Sequence, residues 1–172
     1  MSRCVFVGLL AFVVGAGCLN MRRDEFGRAL PRRPHWTLRH NAGDPHGLLR
    51  YNVIYVRLSD DKYHPGYKIV RFWPSGHYMY KTVNQIDVSE IDSPDKSCIG
   101  YYQVKSADEI LVEVFTDINF GQYGYIRYRL DSNGDLLELS SGPSWTWWHS
   151  KYTEPFRYTP HYVGELKLQP DW

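Results

Sequence analysis

Hydrophobic and polar residues alternate clearly in places along the chain after Tyr51. Within Tyr123–Leu130, Ile126 and Tyr128 fall on one face, whereas the arginines that follow them point to the other. A period of two is the repeat of a β-strand, whose successive side chains face opposite ways. No run keeps the helical period of 3.6 beyond two turns, and only Val88–Ile91 is predicted to form a single helical turn. The pattern therefore predicts an all-β fold.

Turn residues divide this region into short segments. Asn133-Gly134 is the strongest hairpin signal, because both residues tolerate the positive φ of a type I′ turn. Pro74-Ser75-Gly76 is also typical of a tight hairpin. The predicted strands are Tyr51–Leu58, Tyr67–Trp73, His77–Val83, Ile99–Val104, Glu109–Asp117, Tyr123–Leu130 and Asp135–Leu139, with a closing strand over Glu165–Leu168.

Seven or eight short antiparallel strands joined mainly by tight turns form a meander. A meander of this size closes as a small up-and-down barrel or flattens into a β-sandwich, which we keep as the alternative. The composition agrees with this fold class, since 16% of the residues are aromatic, including 14 Tyr and 6 Trp. Aromatic side chains favour pleated, half-buried surfaces and are rare in disordered chains. We predict one β domain over residues 45–172.

The first residues have the pattern of a secretory signal peptide. Arg3 precedes the apolar run Val5–Val14, and the small residues Gly15-Ala16-Gly17 lead to Cys18. The uncharged run is shorter than the roughly 20 residues of a spanning helix. Gly15-Ala16-Gly17-Cys18 resembles the bacterial lipobox. The resemblance implies that residues 1–17 are removed and that Cys18 carries fatty-acyl groups such as palmitate; plain secretion and an uncleaved anchor are the alternatives.

Residues 18–44 are predicted to form a basic, flexible tether. They contain six arginines against three acidic residues, with Pro31 and Pro34 as breakers. Two interpretations stay open: attraction to anionic head groups, and a solvated linker kept soluble by its charge. After Asp44, 13 Lys and Arg face 16 Asp and Glu, a net charge of −3. The domain therefore has no basic stripe for nucleic acid, which we exclude as a partner.

Part of the predicted domain resembles a known family. The segments Arg71–Gly76 and Gly100–Tyr102, together with the strand–Asn-Gly–strand ending, are similar to the lipocalin-like domains of bacterial lipoproteins. The similarity covers about residues 49–139 and implies a lipocalin-like barrel. The Gly-x-Trp signature of lipocalins is absent from the first strand, so no ligand residues are carried over from the family.

The densest aromatic segment supplies the candidate binding residues Trp145, Trp147, Trp148 and Tyr152. Such side chains could line a barrel mouth and stack on a sugar or an apolar ligand. Alternatively, they plug the barrel or cover an edge, because they bury so much area. We assign no catalytic residue, metal ligand or cofactor, since no nucleophile elbow, phosphate loop or His-Glu-x-x-His motif is present and the histidines lack ligand spacing.

These observations favour a lipid-anchored, non-enzymatic protein of the cell envelope, at the outer membrane or cell surface. Its β domain is expected to bind a small apolar molecule, a glycan or another envelope protein. The alternative is a structural or inhibitory lipoprotein with a filled core. An enclosed cavity of at least about 300 Å³ would favour ligand binding, and an interior filled by Trp and Tyr would favour the alternative.

Overall fold

The fold is an eight-stranded antiparallel barrel in the part of the chain that our computed structural model describes, residues 21–62, 65–143 and 150–172. A small hairpin of β1 and β2 precedes it. The strands are β1 Met21–Arg23, β2 Ala29–Pro31, β3 Ile54–Leu58, β4 Tyr67–Phe72, β5 His77–Val83, β6 Cys98–Val104, β7 Glu109–Thr116, β8 Gln122–Leu130, β9 Leu136–Pro143 and β10 Ser150–His161. The helix α1 spans Val88–Ile91, and 3-10 turns span Arg39–Asn41 and Ile118–Phe120.

The barrel strands pair in chain order, and β10 closes the ring by pairing with both β9 and β3. This closure confirms the predicted all-β barrel and excludes the sandwich alternative. Strand β5 has the predicted bounds, and α1 is the predicted single turn. A hairpin turn is present at Asn133-Gly134, but it is not the type I′ turn that the sequence predicts: Gly134 has φ +85°, whereas Asn133 is not among the described residues with a positive φ. The Gly134 N–H donates to the Asp131 carbonyl at 3.0 Å. Only Gly134 takes the left-handed conformation, because the loop spans residues 131–135 and loops of this length are mostly built around a type I turn.

The closing strand differs from the prediction, which placed it at Glu165–Leu168. Ser150–His161 closes the barrel, and residues 165–168 are not in a strand. Two prolines made the true closing segment resemble a loop, because proline cannot donate to a sheet. Pro155 lies in a register shift between Lys151 and Phe156, and Pro160 lies past Tyr158, where pairing with β9 has ended. Neither proline therefore interrupts the pairing with β9.

Large aromatic side chains fill one half of the barrel. We call this half the filled end; it carries the turns 73–76, 105–108 and 131–135, and the opposite half, with connections 84–97 and 117–121, is the cavity end. The inward side chains of the filled end include five fully buried tyrosines and a phenylalanine: Tyr55, Tyr78, Tyr102, Tyr128, Tyr158 and Phe72. Leu49 and Val53, just before β3, complete this core.

A second apolar cluster lies on the outer wall of the barrel. Ile54 and Ile69 are completely buried there beneath Ile91 of α1 and beneath Val163 and Leu166 of the C-terminal segment. The outward face of these strands is therefore apolar too, because a layer of loop and tail excludes water from it.

Residues 21–44 also pack on the outer wall, which differs from the flexible tether expected from the sequence. Arg28 is only 3% exposed; its guanidinium donates to Asp24 and forms a bidentate pair with Asp171 at 2.8 and 3.0 Å. The buried Glu113 carboxylate accepts from the backbone N–H groups of Thr37 and Leu38 at 2.7 and 2.9 Å. These charge-assisted bonds hold the basic segment against the barrel.

Candidate functional site

A cavity of about 310 Å³ lies in the cavity end of the barrel; it is open to solvent at its mouth and is therefore not the enclosed cavity that would favour ligand binding most strongly. It exists because the inward side chains become small towards that end. Tyr and Phe occupy the inward positions of the filled end, whereas Thr116, Gly124 and Ser141 occupy those of the cavity end. The larger side chains of the wall are those of Tyr80, Val114, Ile126 and Pro143. The result is a mainly apolar pocket with a few hydroxyl groups, which is the usual character of a small-molecule site.

A partly buried chain of hydrogen bonds connects the cavity wall to the filled end. The Ser141 hydroxyl on the wall lies 2.6 Å from the Tyr152 hydroxyl, which donates to Glu138 at 3.0 Å. Tyr158 donates to the other carboxylate oxygen of Glu138 at 2.8 Å. Burial raises the pKa of Tyr152 and of Tyr158 above the usual value, so both are neutral donors at neutral pH. The Glu138 carboxylate, 8% exposed, is thus held by two hydroxyls.

Arg57 brings a cation to the same interior. Its guanidinium lies over the Phe156 ring, 4.0 Å from the centroid, and forms an ion pair of 3.3 Å with Asp60. The Arg57 Nε is buried and has no hydrogen-bond partner among the described residues. Buried donors are normally paired with an acceptor. The unpaired Nε–H of Arg57 is therefore available to an acceptor that enters the interior of the barrel.

Tyr80 and Cys98 on the cavity wall are both uncharged at neutral pH. Burial, followed by the nearby Glu138 charge, raises the pKa of Tyr80 to about 12. Burial, followed by the Asp117 charge, raises the pKa of the half-buried Cys98 thiol to about 11. A thiol with so high a pKa is a poor nucleophile, because the thiolate is the reactive form. The wall offers hydrogen bonds and apolar contact instead of reactive groups.

Most of the candidate residues predicted from the sequence lie outside the described residues. This applies to Cys18 and to Trp145, Trp147 and Trp148. Tyr152 is described; it does not line the cavity, but its hydroxyl is hydrogen-bonded to that of Ser141, which does. The cavity-lining residues were missed. The sequence feature that could have indicated the cavity is the presence of small residues at inward positions of a predicted strand, such as Gly124 in Tyr123–Leu130.

A second depression, larger than the barrel cavity, lies on the surface. It has a volume of about 570 Å³ and lies outside the barrel, between the β1–β2 hairpin and residues 95–98. Its wall is charged, and Arg23 and Asp117 within it pair at 2.9 Å. Because its charges are exposed and partly compensated, we consider the smaller, apolar barrel cavity the candidate site.

Within residues 21–62, 65–143 and 150–172, no three His, Cys, Asp or Glu side chains are grouped so that they could hold a metal ion. Nor does this part of the chain contain a helix of the length and apolarity needed to cross a membrane. Comparisons with protein-family models, with curated proteins and with solved structures find no match to the chain.

Proposed function

We propose that this chain is a lipid-anchored cell-envelope protein whose barrel binds a small, mainly apolar molecule at the cavity end. The observation that carries the proposal is the cavity of about 310 Å³ in a barrel whose other half is fully packed. Concave, mainly apolar spaces at the mouth of a β-barrel are common places for a small-molecule site, which is what this arrangement supports.

The chemistry of the wall supports a ligand with an apolar body and one or two polar groups. Val114 and Ile126 offer apolar contact, whereas Tyr80 and Ser141 offer hydroxyls. The volume lies near the lower limit of the roughly 300–1,000 Å³ typical of small-molecule sites. The ligand is therefore expected to be small, and the proposed activity is binding without chemical conversion.

Binding can be tested by filling the cavity. Thr116 lies at the cavity wall and is partly exposed, so that Thr116→Phe reduces the volume without crowding the packed half. The matched control is Thr159→Phe, on the exposed outer face of β10 near the filled end. Titration with the apolar fluorophore N-phenylnaphthylamine should show at least about tenfold weaker binding for the first variant, about 1.4 kcal/mol, and no change for the second. Equal affinities for both variants and the parent would exclude the cavity as the binding site.

Native mass spectrometry of protein purified from producing cells identifies the natural ligand directly. A bound mass that is present in the parent and missing from Thr116→Phe would support the proposal.

The anchoring part of the proposal rests on Gly15-Ala16-Gly17-Cys18. Replacing Cys18 by Ala should abolish labelling by a fatty-acid probe and leave an uncleaved precursor. Undiminished labelling of Cys18→Ala would refute lipidation at this residue.

A second candidate function is a structural or inhibitory envelope lipoprotein without a ligand. The five buried tyrosines of the filled end favour it, because they show that this barrel uses aromatic bulk to close its interior. The cavity-filling experiment separates the two candidates: for a structural protein, Thr116→Phe would preserve or raise stability and no bound mass would be found.

A further inference from the structure

We propose that the cavity end of the barrel lies against the membrane, so that the cavity opens towards the head groups of an anionic phospholipid bilayer. The inference deepens the proposed function and rests on its lipidation of Cys18. It is argued from the position of Met21 at the rim of the barrel, and it does not depend on which ligand is bound.

The first described residue lies at the rim of the cavity end. Met21 packs against Gly121 in the β7–β8 connection; a Cβ added at Gly121 would come within 2.8 Å of the Met21 side chain. The neighbouring Arg23 pairs with Asp117, which lines the cavity. The hairpin of β1 and β2 thus begins beside the mouth, and its Arg28 lies farther along the outer wall, over the Trp172 ring.

The anchor must therefore be close to the mouth. Only two residues, Leu19 and Asn20, separate Met21 from Cys18 along the chain, and the three steps between them span at most about 10 Å when fully extended. A lipidated cysteine sits at the edge of the hydrocarbon core, and the head-group layer above it is about 5–8 Å thick. Met21 and Gly121 are consequently held within, or just above, the head groups. The long tether expected from the sequence would have left the barrel free to turn; the packed hairpin does not.

The rim has side chains suited to this position. Ile118 lines the cavity and is 58% exposed, and Leu58, at the cavity end of β3, is 67% exposed. Exposed apolar residues at one end of a soluble domain gain free energy by entering the interface of a bilayer. The other two large exposed apolar side chains of the described residues are those of Val88, in α1 of the 84–97 connection, and Tyr162, just after β10.

Basic residues beside the anchor attract an anionic surface to this side of the rim, whereas the exposed Asp87 and Asp95 in the 84–97 connection repel it. Arg32 donates from Nε to the Met21 carbonyl at 3.1 Å, and its neighbour Arg33 is exposed, as is Arg22. Arginines close to an anionic membrane are attracted to its surface charge. Because the arginines are fixed to the barrel by the hairpin, they orient it as well as attract it.

The test measures which end of the lipidated protein meets the bilayer. Full-length protein is produced in cells in a Cys98→Ala background, checked by mass for the lipid, and reconstituted into vesicles of phosphatidylcholine and phosphatidylglycerol that contain a head-group nitroxide quencher. A fluorophore is attached at Ile118→Cys, and in the matched control at Ser132→Cys in the turn of the filled end. A barrel of eight-residue strands separates these sites by about 20 Å along its axis.

We expect the nitroxide to quench the label at position 118 by at least about threefold more than the label at position 132, because head-group quenching is confined to the surface layer of the bilayer. Inserting about 12 Gly and Ser residues between Cys18 and Met21, with a reach of about 19 Å, should lower the quenching at position 118 towards that at position 132. This insertion leaves both labelled surfaces unchanged and alters only the anchor.

Equal quenching at both sites, or stronger quenching at position 132, would overturn the orientation while leaving lipidation and ligand binding intact. The fluorescence of the label at position 118 could instead change with the number of protein molecules per vesicle and not with the amount of nitroxide lipid. That result would show that the rim contacts a second copy of the chain, and it would also overturn the proposed orientation. If the mass of the purified protein shows no attached lipid, lipidation of Cys18 is refuted, and the orientation that rests on it is refuted too.

Discussion

Raising the pH above 10 is expected to unfold this protein, because buried tyrosines make up much of the filled end. Tyr78, Tyr102, Tyr128 and Tyr158 are each at most 1% exposed. Burial raises the pKa of all four above the ordinary value of 10.0. Since the pKa is higher in the folded than in the unfolded state, the stability that these groups contribute is complete below pH 10 and is lost as the pH rises towards the folded values.

The size of the effect follows from the number of tyrosines. Each tyrosine that stays neutral when folded but ionises when unfolded lowers the free energy of unfolding by about 1.4 kcal/mol per pH unit above 10. Four such residues give a slope of about 5 kcal/mol per pH unit, and a loss of about 6 kcal/mol at pH 11 and about 11 kcal/mol at pH 12. A domain with an unfolding free energy of about 5–10 kcal/mol should therefore unfold between about pH 11 and 12.

The assay follows circular dichroism and tyrosinate absorbance together as the pH is raised. We expect a cooperative step in absorbance at the pH where the β-sheet signal is lost. The double variant Tyr78→Phe, Tyr128→Phe removes two hydroxyls that share a hydrogen bond of 2.9 Å. It should halve the slope of unfolding free energy against pH, whatever its stability at neutral pH. Gradual ionisation of all 14 tyrosines near pH 10 with an intact sheet signal would refute the argument.

Three further predictions concern single positions. Gly134 has φ +85° with open space around it, so Gly134→Val should cost about 1–2 kcal/mol through backbone strain alone, measured by melting; an unchanged melting temperature would contradict the strain. At Gly100 a Cβ would collide with the carbonyl oxygen of Glu113, so Gly100→Ala should cost about 3 kcal/mol or prevent folding; denaturant unfolding equal to the parent would show that the strands can separate. Glu113→Ala leaves the N–H groups of Thr37 and Leu38 without their acceptor and should cost about 3 kcal/mol. Hydrogen exchange at those two amides should accelerate, and retained protection would mean that other contacts hold the segment.

The sequence alone was sufficient for the local features of this fold. The alternation over Tyr123–Leu130 placed Tyr128 inside and its neighbouring arginines outside, and the structure agrees: Tyr128 is buried and both arginines are exposed. The bounds of β5 and the position of the turn at Asn133-Gly134 were also predicted, whereas the type of that turn was not. These features depend on residues close together in the chain, since strand period and turn geometry are set by neighbouring side chains and by φ.

Only the tertiary structure decided the closing strand, the cavity and the place of the basic segment. Pro155 is compatible with β10 because a register shift there needs no donor from it. The cavity forms because small residues of three separate strands, Thr116, Gly124 and Ser141, meet at one end of the ring. Arg28 is buried because Asp171, 143 residues away, supplies the second carboxylate that its guanidinium requires. Each outcome depends on residues that are distant in sequence and come together only when the barrel closes. The pattern of neighbouring residues along the chain cannot predict such contacts.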